Sequence, residues 1–415
     1  MWDTAGLHTD INTCNYIQIS MLQAYKYRLY PNTIQMESIE KHIDTCRFVY
    51  NLFLEKKIKH YTEHSKTLSC FALNKLLPSL KIEFPFLQDV HSQPLQMASR
   101  NLDNAFTKFF REKKGFPKFK SKKNPVQSFQ YPQGVKLNWE LGKVYLPKVG
   151  QVKCKLHRFF EGAIKTCTVS RTSTGKYFVS ILVDNKERVP DSDTFSSETT
   201  IGIDVGLKSF AILSDGNKVE NPRIFKKKSE KLKKLQQSVS RKVKGSNNYK
   251  KAKLKVAKCH EAIANQRSDF LHKLSFKLVS ENQAIAIEDL NVSGMVKNRR
   301  LAKHIADASW SNFRSMLEYK CKRYGKTLLT IGRFEPSSKI CNHCGYYNKD
   351  LTLKERSWIC PACGSDLDRD INAAINIKCF ALMKQNTGQE LSGVPVEIVS
   401  DIIDASINEA GSQRF

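Results

Sequence analysis

The chain has 415 residues, with 68 Lys or Arg and 40 Asp or Glu, so its formal net charge is +28. Hydrophobic residues make up 40% of the sequence and charged residues 26%, which is typical of globular domains and excludes a disordered or collagen-like chain. No apolar run is long enough to cross a membrane, and the first Lys or Arg is Lys26, so neither a membrane anchor nor a secretory signal is predicted. Such an excess of cations predicts a polyanionic partner, and nucleic acid is the common one.

The chain begins with a polar segment that differs from the rest of the sequence. Residues 1–20 contain two acids and no base and show no helical or strand period, so we expect them to form a disordered extension. Aromatic and basic residues alternate from residue 22 to residue 30, which predicts a strand. One face of this strand is basic, so Lys26 and Arg28 are candidates for contact with nucleic acid.

Helices and short strands complete an N-terminal lobe that we expect to span residues 21–190. Apolar residues recur at helical spacing in three segments, at residues 33–61, 69–79 and 92–113. Four short segments between residues 126 and 185 are separated by turn residues and predict strands. Together with the strand at 22–30, they can close a small β-barrel beside the helices.

A basic segment with interleaved aromatic residues lies after the third helix. Eight bases and one acid lie between Lys108 and Lys123, and Phe116 and Phe119 stand among them. Cations beside aromatic rings are typical of surfaces that bind phosphates and exposed bases, although an ordinary solvated loop can carry the same charge. The bases that we expect to contact nucleic acid here are Lys118, Lys120, Lys122 and Lys123.

A longer basic segment lies in the C-terminal half of the chain. Between residues 223 and 258, fifteen Lys or Arg stand against a single acid, Glu230. A solvated helix face usually mixes charges of both signs, so a helical segment of one sign favours contact with a nucleic-acid backbone. The residues singled out for this contact are Lys226, Lys227, Lys228, Lys233, Lys234, Arg241 and Lys242.

Four of the twelve cysteines form two C-x-x-C pairs. Cys341 and Cys344 form the first pair, Cys360 and Cys363 form the second, and fifteen residues separate the pairs. Two such hairpins can direct four thiolates at one ion, which favours structural Zn²⁺, with an iron–sulfur site or coincidence as the alternatives. The other eight cysteines are scattered, as is typical of a protein in a reducing cytosol, so we expect a cytoplasmic location.

Three acids stand in surroundings that do not suit a lone carboxylate. Asp204 lies in an apolar strand between two glycines, Glu288 ends another apolar strand, and Asp370 precedes a helix with small residues in its first turn. Burying an isolated carboxylate is costly, although each acid alone could equally cap a helix or form a salt bridge. If the three meet, oxygen ligands suit Mg²⁺ or Mn²⁺, and two such ions can activate water for phosphodiester cleavage.

The order strand–Asp, hairpin, strand–Glu and helix–Asp is that of RNase H-like, specifically RuvC-like, nucleases. A closer resemblance rests on the motifs Gly-Ile-Asp-Val-Gly-Leu-Lys at 202–208, Ile-Glu-Asp-Leu-Asn at 287–291, Ser-Ser-Lys-Ile-Cys at 337–341 and Asp-Arg-Asp-Ile-Asn-Ala-Ala-Ile-Asn at 368–376. With Tyr-Arg-Leu-Tyr-Pro at 27–31, Phe-Phe-Arg at 109–111 and Gly-Phe-Pro-Lys-Phe-Lys at 115–120, these make residues 21–383 resemble the TnpB (OrfB) proteins of insertion sequences, which are relatives of type V CRISPR effectors.

The resemblance implies an RNA-guided DNA endonuclease that uses a transposon-encoded guide RNA to cut double-stranded DNA beside a short target-adjacent motif. It implies that Asp204, Glu288 and Asp370 are the RuvC acids and that the four paired cysteines bind zinc. Asp368 is a rival for the third acid, but the family's Asp-x-Asn pattern falls on Asp370-Ile-Asn372. We expect one protein per RNA, in the cytosol of a bacterium or archaeon, with the nucleoid as its place of action.

The predicted fold class is α/β: an RNase H-like (RuvC) nuclease domain with an inserted zinc-ribbon module, preceded by a lobe made of a small β-barrel and a helical bundle. The boundaries are 21–190 for the lobe, 200–335 and 366–383 for the two parts of the nuclease domain, 336–365 for the zinc module and 384–415 for a loose tail. Two other functions stay open: a nuclease-dead, RNA-guided DNA-binding regulator, and a transposase or junction resolvase that acts without RNA.

Overall fold

The computed structural model describes residues 20–387, with the exception of residues 193, 334 and 353. The chain divides into two compact units, the first ending at Arg188 and the second beginning at Val189. Among the described residues, no helix combines the length and the apolar character that a membrane span needs. The predicted extension and most of the predicted tail lie outside the described residues.

The first unit is built on an antiparallel sheet of seven strands. They are β1 (Ser20–Tyr30), β2 (Val126–Tyr131), β3 (Lys136–Asn138), β4 (Lys143–Leu146), β5 (Gly150–Lys155), β6 (Ala163–Thr172) and β7 (Tyr177–Arg188). They pair in the order β2-β6-β7-β1-β5-β4-β3. Within residues 20–192 no backbone ladder joins the end strands β2 and β3, so closure into the expected barrel stays a prediction.

Helices of the first unit pack on this sheet. They are α1 (Thr33–His64), α2 (Cys70–Lys75), α3 (Leu77–Glu83) and α4 (Ser92–Arg111). The first and last confirm the predicted helices, whereas the predicted middle helix is divided at Leu76 into two short ones. Asn32 starts α1 with a capping box in which its side chain accepts from the backbone of Gln35. The core contains Tyr27 and Leu29 of the first strand together with Phe53 of α1.

A mixed five-stranded sheet forms the centre of the second unit. Its strands are β8 (Thr200–Val205), β9 (Ser209–Leu213), β10 (Lys218–Glu220), β11 (Ala284–Glu288) and β12 (Thr327–Ile331). The order is β10-β9-β8-β11-β12; the first three are antiparallel, while β11 runs parallel to both β8 and β12. Because β8 and β11 are parallel neighbours, their carboxyl ends lie at the same edge of the sheet.

Helices cover both faces of this sheet. They are α5 (Ile224–Ser240), α6 (Asn247–Glu281), α7 (Val292–Met295), α8 (Ala302–Ala308), α9 (Trp310–Arg323) and α10 (Arg369–Thr387). Ile203 and Ile287 pack toward α6 and α9, whereas Ala286 packs toward α10. The predicted basic segment is two helices, separated as expected at the Gly245 turn, and α10 continues past the expected end at residue 383.

A small module stands between β12 and α10. It contains a two-stranded antiparallel sheet of β13 (Ser357–Ile359) and β14 (Asp366–Asp368). Its apolar core consists of Leu351, Trp358 and Leu367 around two of the paired cysteines. A core of this size supplies little stability by itself, which is typical of modules that depend on a metal ion.

Candidate active site and zinc centre

The second unit brings the three predicted acids to one edge of its sheet. Asp204 lies near the end of β8, Glu288 is the last residue of β11, and Asp370 lies in the first turn of α10. Ile287 pairs with Ile203 in the parallel register, so the next residues, Glu288 and Asp204, are neighbours across the two strands. We call Asp204, Glu288 and Asp370 the acidic edge.

Close packing of α10 on β8 positions this edge. A Cβ atom added to Gly202 would lie 2.1 Å from the carbonyl oxygen of Ala374, so only glycine allows the helix to come this near. Side chains alternate along a strand, and Asp204 therefore points to the same face as Gly202, toward α10. In the sequence, the two glycines that flank Asp204 indicated that another part of the backbone approaches this strand closely.

Two carboxyls of the acidic edge, those of Asp204 and Glu288, have pKa values raised well above the ordinary range. Burial, with the carboxylates of Asp370 and Glu288, raises the pKa of Asp204 to about 7. Burial also raises the pKa of Glu288 to about 7, with a contribution from the carboxylate of Glu335. Carboxyls whose pKa values are raised by burial and by neighbouring carboxylates are a feature of functional sites, and a bound cation favours their charged form.

The carboxylate of Asp370 is held by an arginine of the small module. Nη1 of Arg356, just before β13, donates to Oδ1 of Asp370 over 3.1 Å. The rival acid has another role: Oδ1 of Asp368 accepts from the backbone N–H groups of Asp370 and Ile371, and Oδ2 pairs with Lys218. Asp368 therefore caps the start of α10, a structural task, and Asp370 is the acid that adjoins Asp204.

Two residues of this site, Glu335 and Arg356, were not predicted from the sequence. Glu335 is buried in the loop after β12, and its Oε1 accepts from the N–H of Gly332 over 3.0 Å. Its proximity to Glu288 results from the parallel pairing of Glu288 with Ile331 at the end of β12. The available signal was an acid shortly after an apolar strand, which is the same signal that singled out Glu288.

The four paired cysteines converge on one point. Their ligand atoms lie within 4.8 Å of one another, and no other group of three or more potential ligands does so in the described part of the chain. The Sγ atoms are 3.8 Å apart for Cys341 and Cys363 and 3.6 Å apart for Cys344 and Cys360. Zn–S bonds of about 2.3 Å give a tetrahedron with edges of roughly 3.8 Å, so these thiols fit a zinc ion.

Glycine residues shape both cysteine hairpins. The N–H of Gly345 donates to the carbonyl of Cys341 over 2.9 Å, and that of Gly364 donates to the carbonyl of Cys360 over 2.8 Å. Both glycines have positive φ angles, 77° and 74° respectively. These left-handed turns let the chain reverse its direction directly after the second cysteine of each pair.

Two buried asparagines join the cysteine module to α10. Nδ2 of Asn372 and Nδ2 of Asn376 each donate to the carbonyl of Ile340 over 2.7 Å. Asn376 also donates to the carbonyl of Ser337 over 2.7 Å, while the N–H of Asn342 donates to Oδ1 of Asn372. Because the asparagines are one helical turn apart, they hold the entry to the first hairpin against the turn that carries Asp370.

The basic residues predicted in the first unit have different surroundings. The ammonium of Lys26 lies 4.7 Å from the Phe178 ring centroid, and the Arg28 guanidinium lies over the same ring. Lys118 and Lys123 are exposed. Lys120 lies 4.0 Å from the centre of the Tyr50 ring, and Lys122 forms an ion pair with Asp44, so these two already have intramolecular partners.

The basic hairpin, α5 with α6, presents its cations along two packed helices. Six of the predicted residues are exposed and Lys228 is half-buried; the six are Lys226, Lys227, Lys233, Lys234, Arg241 and Lys242. A depression of about 350 Å³ between the helices is lined by four lysines and no acid: Lys228, Lys231, Lys255 and Lys258. The last three were not predicted, although each helix repeats lysine at a three-residue interval.

The fold and the site together define an α/β protein with an acidic sheet edge and an inserted four-cysteine group that fits a metal ion. Three family models match: a helix-turn-helix domain over residues 21–66, an OrfB model described as "Probable transposase" over 180–299, and a Cas12f1-like TNB domain over 310–377. The segment matched as helix-turn-helix forms one strand and a single long helix in this structure.

Two curated relatives resemble nearly the whole chain. A Streptomyces pristinaespiralis protein named "Putative RNA-guided DNA endonuclease" is 41% identical over 88% of this chain and 91% of its own length. The Escherichia coli K12 protein of the same name, InsQ, is 34% identical over 86% of this chain and 91% of its own length. The chain therefore belongs to the TnpB (OrfB) family of insertion-sequence proteins, and the predicted family is confirmed.

A solved structure also aligns with most of the chain. The Cas12f1–sgRNA–target DNA complex, determined by cryo-EM, aligns with 86% of this chain and 99% of its own, at 14% identity and a TM-score of 0.47. A likeness of that size supports no argument about function, and the family assignment rests on the sequence relatives.

Proposed function

We propose that this protein is an RNA-guided DNA endonuclease of a transposable element. The observation that carries the proposal is the acidic edge, where partial burial and the carboxylates of Asp370 and Glu288 raise the pKa of Asp204 to about 7. Two relatives of nearly full length carry the name of this activity. The excess of 68 basic over 40 acidic residues suits a protein that holds both RNA and DNA.

The acidic edge would bind Mg²⁺ or Mn²⁺, since carboxylate oxygens are the ligands that these ions prefer. Divalent ions supply Lewis-acid activation of water and stabilisation of the leaving 3′ oxygen in phosphodiester hydrolysis. Asp204 and Glu288 offer oxygens from adjacent strands, while Asp370 offers them from α10. Arg356 orients Asp370 through its guanidinium and adds positive charge where a phosphate would approach.

The sheet order supports an RNase H-like assignment for the second unit. Three consecutive strands pair antiparallel, and two further strands then extend the sheet in parallel. The proposed acids lie at the carboxyl ends of the first and fourth of these strands and at the start of the helix that covers them. The four-cysteine centre fits structural zinc, because four thiolates complete the coordination of the ion.

Nucleic acid would bind along the basic residues of both units. In this proposal a guide RNA reads the target by base pairing, while the protein recognises a short motif in duplex DNA beside it. We also propose a cytoplasmic location, in a bacterium or archaeon, and one protein per RNA. These features rest on the family and on the charge distribution rather than on any single contact.

The decisive experiment is co-expression of the chain with the DNA that flanks its gene. The purified protein should retain a discrete RNA, and the complex should cut a matched plasmid only with Mg²⁺ or Mn²⁺. Asp204→Asn should abolish cutting and leave RNA retention unchanged. Asp269→Asn is the matched control, because Asp269 is an exposed acid that forms an ion pair with Lys273 on its own helix, and it should cut normally.

Other outcomes would assign a different function. Target binding without cleavage under every divalent ion would indicate an RNA-guided regulator. Joining of labelled transposon ends without added RNA would indicate a transposase. A protein that retains no discrete RNA would contradict the proposal.

A further inference from the structure

A cavity lies immediately beside the acidic edge, on the other face of the sheet. It has a volume of about 200 Å³, and Glu288 forms part of its wall. Ile203 of β8, Ile287 of β11 and Phe313 of α9 supply apolar walls. Because Ile203 and Ile287 directly precede Asp204 and Glu288, the cavity and the proposed cleavage site share the same strand ends.

One buried donor beside this cavity has no partner in the described part of the chain. Trp310, the first residue of α9, lines the cavity and is 5% exposed. Its indole Nε1–H is buried and has no hydrogen-bond partner among the described residues. Buried donors are almost always paired, so this indole N–H beside the cavity is a donor that a ligand with an acceptor can satisfy.

The walls define the chemistry of that ligand. Apolar and aromatic surfaces suit a flat group with apolar faces, while the indole N–H and the guanidinium of Arg314, which also lines the cavity, suit acceptors at its edge. Ser311 and Ser315 also line the cavity and are exposed, so the cavity is open to solvent on the α9 side. A nucleobase combines flat faces with edge acceptors and has the size that this volume admits.

We propose that this cavity accepts one unstacked nucleobase of the DNA strand that is being cut, an inference that rests on the proposed function. In an RNA-guided complex the displaced strand is already single, so removing one of its bases from the stack is less costly than in a duplex. A base held beside Glu288 fixes its own phosphate near the acidic edge. The cavity therefore sets which phosphodiester lies in the cleavage position.

The first test blocks the cavity. Ser315→Leu places a bulky side chain in its lining, and Asn312→Leu is the matched control because Asn312 is exposed on the same helix but does not line the cavity. On a matched DNA target, Ser315→Leu should cut about tenfold more slowly, while Asn312→Leu should cut normally. Equal rates for Ser315→Leu and the unaltered protein would overturn the proposal.

The second test removes the base. An abasic site is placed at successive positions around the cut, and at one position it should slow the unaltered protein by about the same factor. At that position Ser315→Leu should show no further loss, because the base that it excludes is already missing. Equal cutting of all abasic substrates by the unaltered protein would contradict a base-binding cavity.

A third measurement does not depend on cleavage. The Asp204→Asn complex is bound to DNA that carries 5-iododeoxyuridine at successive positions and is then irradiated. A crosslink from one position to the α9 peptide that contains Trp310 is expected, and it should be lost in Ser315→Leu. Crosslinking from iodouridine in the guide RNA instead, or from no DNA position, would overturn the inference even if the protein proves unable to cut.

Discussion

The acidic edge and the basic hairpin are built in contrasting ways within the same unit. At the acidic edge, three partly buried carboxyls depend on the backbone contact between Gly202 and Ala374. On the basic hairpin, exposed lysines cover the outer surfaces of two helices. The helices pack together through a small apolar cluster that includes Leu232 and Ile263. The first region depends on precise positions, while the second depends on the sum of many charges.

The two regions should therefore respond differently to amino-acid substitution. Displacing one carboxyl by about 1 Å is enough to impair a site whose groups must meet at one place. Phosphate contacts by exposed lysines instead contribute small, additive and salt-dependent amounts. Substitutions should therefore act steeply at the acidic edge and gradually on the basic hairpin.

The largest effect is expected from Gly202→Ala. Its new Cβ would lie 2.1 Å from the Ala374 carbonyl oxygen, so α10 must move away from β8. We expect a loss of about 3 kcal/mol or more in the free energy of unfolding, together with loss of cutting. Thermal unfolding measures the first, and Gly115→Ala is the control because no atom lies within 4 Å of its added Cβ. Unchanged stability in Gly202→Ala would show that α10 does not depend on this contact.

Removing zinc should disturb the acidic edge from a distance. The cysteine module holds the first turns of α10 through Asn372 and Asn376, so its unfolding should release Asp370. Cys344→Ser is expected to lose zinc, to expose buried Trp358 and to reduce cutting at least tenfold. Zinc content and tryptophan fluorescence measure these changes. Cys379→Ser, outside the four-cysteine group, should behave like the unaltered protein; normal cutting by zinc-free protein would refute the coupling.

The stability of the protein without Mg²⁺ or Mn²⁺ should depend on pH through Asp204 and Glu288. Their pKa values are raised to about 7 in the folded chain, from about 4 in an unfolded one. The folded state then binds more protons than the unfolded state between these values, so stability should fall by a few kcal/mol as pH rises from about 4 to about 7. Thermal unfolding at several pH values checks this, and Asp204→Asn should flatten the curve. An equally steep curve in Asp204→Asn would place the dependence elsewhere.

The smallest effect is expected from a single lysine of the basic hairpin. Lys255→Ala removes one of the four lysines in the depression between α5 and α6. Binding of the co-purified RNA should weaken only severalfold, and the slope of log affinity against log salt should fall by about one unit. Lys59→Ala is the control because Lys59 pairs with Glu63 on its own helix. A hundredfold loss from Lys255→Ala would mean that the hairpin is a precise site like the acidic edge.

Local patterns were enough to predict the elements that carry the acidic edge. Asp204 and Glu288 could be singled out because a carboxylate at the end of an apolar strand is unusual. The spacing of the cysteines predicted the four-cysteine group. The pairing of Arg356 with Asp370 was not predictable, because it joins residues whose proximity is set by the fold of the module between them. Glu335 was not predicted for the same reason: it lies near Glu288 only because β11 pairs with β12.

Tertiary packing also changed elements that periodicity had placed correctly. The apolar spacing over residues 69–79 is continuous, yet Leu76 ends one helix and begins the next. By contrast, α10 is longer than expected, because it continues past residue 383 to Thr387. Helix ends depend on capping and on neighbouring elements, and periodicity reports on neither.

The contact of α10 with β8 also bears on the time at which the nuclease becomes complete. The strand with Asp204 is synthesised well before α10, which comes after the cysteine module in the chain. Domains fold as their segments leave the ribosome, so Asp370 joins the other two acids only after almost the whole second unit has been made. The order of synthesis thus makes the acidic edge one of the last features of the second unit to be completed.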